Sequence, residues 1–186
     1  LRGRDLDPAR KVDLARYLVD WINYLREQVT IPVKYVSLHN EGEAKARWPE
    51  DGSHGNIGHG HDYNMFWPPE QVADFLKILH PILNTASLPE VGVSNGEPTY
   101  WSRVGGEYNR QDVSSGYAEA IVADARALKR LGLVTSHGFR QKKQDMTPEA
   151  RYADLRSDGI DLIRSRRPEL HAWTTSMTWG DMDMLF

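Results

Sequence analysis

The residues of this chain that could do chemistry gather behind short apolar runs, and the first such place is VKYVSLHNEGE, residues 33–43. A β-branched run stops there at His39, Asn40 and Glu41, with Glu43 close behind. A carboxylate at a strand end can serve simply as one half of a salt bridge, so the amide beside it is the part that needs explaining. Other runs end alike. Asn95 and Glu97 follow in SNGEPTYW, His137 follows in LVTSHGF, and Thr175 and Ser176 lie in LHAWTTSMTW. A separate set, His54, His59, His61 and Asp62 in SHGNIGHGHDY, has side chains that bind zinc or a similar ion. Glycine-rich loops also hold histidines that simply meet substrate or solvent, so the assignment here is no metal and no cofactor. Simpler structural roles are a helix surface for His80, a strand-end hydrogen bond for His39, a turn or cap before Pro98 for Glu97, and a solvated loop charge for Glu43.

The elements that must position these groups alternate regularly. Asp7-Pro8 reads as a cap and first-turn proline, after which Val12, Ala15, Leu18, Ile22 and Leu25 recur at helical spacing, with Trp21 expected in the core beside them. A strand is expected over Val33–Leu38, then a long loop from His39 to Trp67 without periodicity. Val72, Phe75, Leu76, Leu79, Ile82 and Leu83 predict a second helix from Pro69, kinked or stopped by Pro81. A strand over Glu90–Ser94 follows. Ser115 is expected to cap a third helix carrying Ile121, Val122, Ala125, Leu128 and Leu131, with Gly132 as its left-handed end. LVTSHGF then reads as the third strand. A polar insertion leads to a short helix with Ile160, Leu162 and Ile163, ended by Pro168, before the strand LHAWTTSMTW.

Helix and strand alternating four times without hairpin signals predict an α/β protein with parallel strands. All the post-strand residues then share the carboxyl-terminal edge, where α/β barrels and open α/β sheets build their sites. No glycine-rich phosphate loop follows any strand, which favours a barrel over an open flavodoxin-like sheet. An eight-stranded barrel takes about 250 residues. The expectation is therefore one domain, 1–186, forming about four βα units of a (β/α)8 TIM barrel, roughly the fourth to seventh. Chain not present here, or a partner subunit, would complete it.

Composition narrows the classes. With 186 residues, 40% hydrophobic, 26% charged and a formal net charge of -3, the chain has no electrostatic reason to bind nucleic acid or an anionic membrane. No apolar run approaches the roughly 20 residues that span a bilayer. Cysteine is absent, which excludes disulfides and thiolate chemistry. Trp48, Trp67, Trp101 and Trp179 fall on the expected ligand edge, where flat aromatic faces would stack on sugar rings or, alternatively, pack the loops against the rim.

Asn40-Glu41 closing one strand, and WTTSMTW closing the strand three units later, resemble the retaining β-glycosidases of clan A. The nearest resemblance is to glycoside hydrolase family 30, the xylanases, galactanases and glucosylceramidases. That resemblance implies a carbohydrate substrate, an extracellular or periplasmic setting, and roles for individual residues. Glu41 would be the acid/base, Asn40 would hold the sugar 2-hydroxyl, and His137 would line the site. His39, Glu97, Trp67, Trp101 and Trp179 would join them against substrate. The family closes its later motif with a nucleophilic glutamate, and here that position holds Ser176. A serine hydroxyl is un-ionised at neutral pH and needs an activating base. The motif supplies none, leaving only His137 or His171. Two explanations then compete, a Glu-to-Ser replacement or a natural inactive barrel that only binds glycan. The flanking Trp173, Thr174 and Thr175 still fit the active pattern and favour replacement. Weaker alternatives are an inverting pair of Glu41 and Glu97, and a metal-dependent hydrolase built on the histidine loop.

Overall fold

The computed structural model describes residues 6–43, 65–106, 115–139 and 157–176. A short 3-10 turn, Pro8–Arg10, is capped by the Asp7 carboxylate accepting from the Ala9 amide at 2.9 Å, and it leads into α1, Lys11–Glu27. Four strands follow as β1 (Tyr35–Val36), β2 (Gly92–Ser94), β3 (Leu131–Ser136) and β4 (Ala172–Thr174). They form one parallel sheet in the order β1-β2-β3-β4, the α/β arrangement expected. The helices between them are α2 (Pro69–Thr85), α3 (Tyr117–Ala123), α4 (Ala125–Arg130) and α5 (Asp158–Arg164).

The sheet is strongly curved. Tyr35 on β1 and Trp173 on β4 belong to opposite edge strands, yet their ring centroids lie 5.0 Å apart. Flat strands spaced about 4.8 Å apart would separate those edges by about 14 Å. Both side chains therefore point into one concave face, as barrel interiors require. Two glycines make room beneath them: a Cβ on Gly92 would lie 2.7 Å from the Tyr35 ring, and one on Gly132 would lie 2.6 Å from the Gly92 Cα.

The convex face carries the core. Val72, Phe75, Leu76, Leu79 and Leu83 of α2 are buried, as their spacing predicts, and α2 packs between α1 on one side and α3 and α4 on the other. Pro81 neither ends nor interrupts this helix, which continues to Thr85. The polar Gln71 is tolerated in the same face because it accepts from the Leu6 amide and donates to the Phe66 carbonyl, both at 3.0 Å. Among the described residues no helix is long and apolar enough to cross a membrane.

Four local expectations are corrected. Trp21 is not core: it is 50% exposed and stacks on Tyr24, while Ala15, Val19 and Ile22 form the buried stripe of α1. Successive helical residues are about 100° apart, so Trp21 falls beside that stripe. The third helix is two helices. Asp124 takes an extended backbone, and its carboxylate accepts from the Arg126 and Ala127 amides, which stops α3 and caps α4. Leu131 then opens β3 and Gly132 lies within that strand, so it ends no helix; Gly116, with φ 86° and no side-chain capping bond, takes the starting position expected of Ser115.

Candidate functional site

Because the strands are parallel, the residues that follow them meet at one edge. An isolated parallel bridge pairs Asn40 with Glu97 just beyond β1 and β2, through Glu97 N to His39 O (2.8 Å) and Glu41 N to Glu97 O (2.9 Å). Behind β2, the Asn95 side chain imitates a strand residue. Its amide donates to the Thr135 carbonyl at 3.0 Å and its oxygen accepts from the Thr135 N–H at 2.7 Å. Past β3, His137 N donates to Pro98 O at 2.8 Å, and past β4, Thr175 N donates to Ser136 O at 2.9 Å.

Glu41 is buried, and its backbone is left-handed at φ 48°. For a residue with a Cβ that conformation costs about 1–2 kcal/mol, which the flanking backbone bonds must hold. One carboxylate oxygen, Oε1, lies 3.1 Å from His137 Nδ1. The other ring nitrogen, Nε2, lies 3.2 Å from Glu97 Oε2. His137 is thus buried between two carboxylates drawn from two other strands. Burial opposes its charge, but hydrogen bonds and Coulomb attraction from Glu41 and Glu97 outweigh it and raise its pKa to about 9. Glu97 is held below the usual carboxylate range, first by the His137 hydrogen bond and further by the hydroxyls of Ser37 and Thr175, against a smaller desolvation cost.

His39 is the contrast. Desolvation lowers its pKa to about 4, against weaker opposing pulls from Glu43 and Glu97. Its Nδ1 accepts from Gly42 N at 3.1 Å, and its ring packs by Trp67 and Tyr117. Only glycine fits over it at position 96, where φ is +88° and a Cβ would lie 2.2 Å from the imidazole.

Glu43 is corrected outright: it is fully buried rather than a solvated loop charge. Its Oε1 accepts from the Thr99 amide at 2.8 Å, from the Thr99 hydroxyl and from the Arg103 guanidinium, which also lies 4.4 Å from the Tyr100 ring centroid. This cluster ties the segment after β1 to the one after β2 and braces Glu41 two residues away. Arg103, Thr99 and Ser37 were not singled out in the sequence. The one signal was a lone arginine inside TYWSRV, which reads equally well as a surface charge.

The remaining candidates divide as follows. Asn40 is exposed at the edge; Ser176 is half-buried two residues beyond β4, on the same edge as Glu41 and His137. Trp67 and Trp101 are buried, Trp67 edge-on to Phe75 with its carbonyl accepting from the Tyr117 hydroxyl at 2.7 Å, a packing arrangement. His80 sits on the outer helix layer beside Asn84 and Arg130. Trp179 and the histidine loop, His54, His59, His61 and Asp62, lie outside the described residues. Among the described residues no group of three or more His, Asp or Glu is set to hold a metal ion.

A curved parallel sheet with helices on its convex side and its polar residues at the carboxyl-terminal edge is an arc of a (β/α)8 barrel. Solved barrels of similar fold include an endo-β1,6-glucanase, with 19% identity and a TM-score of 0.61 over 96% of this chain and 32% of that one. Another is a glycoside hydrolase family 30 subfamily 8 xylanase from Clostridium acetobutylicum, with 18% identity and a TM-score of 0.50 over 80% of this chain and 30% of that one. The chain thus spans about a third of the length of either. No protein-family model matches it, and no curated protein matches it significantly.

Proposed function

We propose that this chain is part of the catalytic barrel of a glycoside hydrolase acting on a β-linked poly- or oligosaccharide by the retaining route, with Glu41 as acid/base and Ser176 standing at the nucleophile position. The observation that carries this reading is Glu41: a buried carboxylate at a barrel's catalytic edge, in a left-handed backbone, hydrogen-bonded to a histidine that follows β3, two strands along the sheet. A retaining enzyme needs a second carboxylate about 5 to 5.5 Å from the acid. Glu97 does not suit an inverting role with Glu41, because the His137 ring fills the line between them and leaves no room there for a sugar. By the resemblance of WTTSMTW to the family's later motif, the missing carboxylate belongs at 176.

Completion of the barrel is part of this proposal. The exposed large hydrophobics among the described residues are Val12, Tyr17, Trp21, Tyr24, Val29, Ile31 and Tyr35 in the first unit, and Trp173 on the last strand. Such side chains at both ends of an arc, and none in its middle, suit burial by further βα units. A location outside the cytoplasm follows only from the resemblance to secreted glycosidases.

Ser176→Glu in the complete domain is expected to release sugar from a β-linked glycan, with the anomeric configuration of the first product retained by NMR. Inactivity across xylans, galactans and β-glucans would overturn the reading. The serine itself favours one second reading, a barrel that binds glycan without cleaving it. In that case Ser176→Glu leaves affinity unchanged and gives no turnover.

A further inference from the structure

Glu97 touches His137 on the ring nitrogen opposite Glu41, at 3.2 Å. A neutral imidazole has one N–H and one lone pair, so it can donate to only one of two ionised carboxylates. The other would face a lone pair at 3.1 or 3.2 Å. Two hydrogen bonds therefore require at least two protons among the three groups, one between each ring nitrogen and its carboxylate. The ring is only 5% exposed, which leaves little room for water to substitute.

The surroundings favour placing both protons on the ring. Glu97 is held as a carboxylate first by the His137 ring itself, against desolvation, with smaller support from the Ser37 and Thr175 hydroxyls in the segments after β1 and β4. His39, which faces the same cluster, stays neutral because it is buried. Glu43, the remaining carboxylate nearby, is balanced by Arg103. With both ring nitrogens protonated, Nδ1–H donates to Glu41 Oε1, and that oxygen is occupied.

We propose that Glu97 is a positioning residue that, by holding the far nitrogen of His137, keeps the imidazole doubly protonated and so confines the exchangeable proton of Glu41 to its other oxygen, Oε2. The inference rests on the acid/base role proposed for Glu41. In the complete domain carrying Ser176→Glu, the Glu41 Oε2–H proton passes in the first step to the glycosidic oxygen as its bond to the anomeric carbon breaks and the carboxylate introduced by that substitution bonds the same carbon. In the second, water displaces that carboxylate from the anomeric carbon while Oε2 takes a proton from the water. His137 and Glu97 keep theirs throughout, so the sequence returns Glu41 to its starting state.

The test is a pH titration of the His137 ring nitrogens by long-range 1H–15N NMR, with the signal assigned by its loss in His137→Gln. In the unaltered chain the ring is expected to be an imidazolium at pH 8. Glu97→Gln, which keeps shape but not charge, is expected to lower its midpoint by about one pH unit or more. A neutral ring at pH 8 in the unaltered chain overturns the proposal. An unchanged midpoint in folded Glu97→Gln overturns it as well. In the complete domain carrying Ser176→Glu, adding Glu97→Gln should lower kcat at least about tenfold with little change in KM, and move the alkaline limb of the pH profile downward. If the titrations hold while Ser176→Glu stays inert, the glycosidase reading falls and the clamp on His137 stands. If turnover appears and Glu97→Gln leaves kcat and the alkaline limb alone, only the positioning role falls.

Discussion

His39 follows β1 and His137 follows β3 on the same edge of the sheet, yet the fold treats their charge oppositely, and this sets the pH range of stability. His137 is raised to about 9 by Glu41 and Glu97, so its contribution is fully present below the unfolded value of 6.5 and is lost as pH rises through 9. His39 is lowered to about 4 by burial, so the unfolded chain binds the extra proton between pH 6.5 and 4, and stability falls as the solution is acidified through that window. Each contributes up to about 3 kcal/mol. Urea denaturation across pH 4–10 is expected to show a maximum near neutrality, and His137→Gln should flatten the alkaline side alone. Glu43 belongs to the same scale. Glu43→Ala leaves the Arg103 guanidinium buried without its carboxylate, which should cost about 3–5 kcal/mol in denaturant stability. A cost below about 1 kcal/mol would mean the loop after β1 does not depend on this pair.

The elements are held by where side chains are missing as much as by where they pack. β2 and β3 approach through Gly92 and Gly132, and a methyl on Gly132 would meet backbone at 2.6 Å. Gly132→Ala should therefore lower stability by about 1–3 kcal/mol by forcing the strands apart, read as a shift in denaturation midpoint. The same substitution at a helix-ending glycine would carry a different penalty, that of a positive φ, so the result also tests the strand assignment. The helix over residues 117–130 shows why the sequence misled there. Apolar spacing continues across Asp124, but its carboxylate, two residues before the Arg126 amide, caps a new helix in place of continuing the old one.

At the scale of the molecule, the exposed aromatics at both ends of the arc have a consequence in solution. The chain alone should self-associate with rising concentration, and Tyr35→Ser with Trp173→Ser should weaken that association, as sedimentation velocity would measure. An unaltered chain that stays monomeric at high concentration would count against further units packing on these faces.

Much of the arc was legible in the residues themselves. Helix and strand order, parallel pairing and the shared edge of His39, Asn40, Glu41, Glu97, His137 and Ser176 follow from local periodicity and from the lack of hairpins, because each unit's pattern is set by residues a few positions apart. What tertiary structure alone decided lies at long separation: the Glu41–His137 contact spans 96 residues and Arg103–Glu43 spans 60. The curvature that brings Tyr35 against Trp173, the burial of Glu43, the exposure of Trp21 and the placing of one imidazole between two carboxylates depend on how strands stack and bend around one another. No short window of sequence carries that information, since burial and charge are properties of what arrives from elsewhere in the chain.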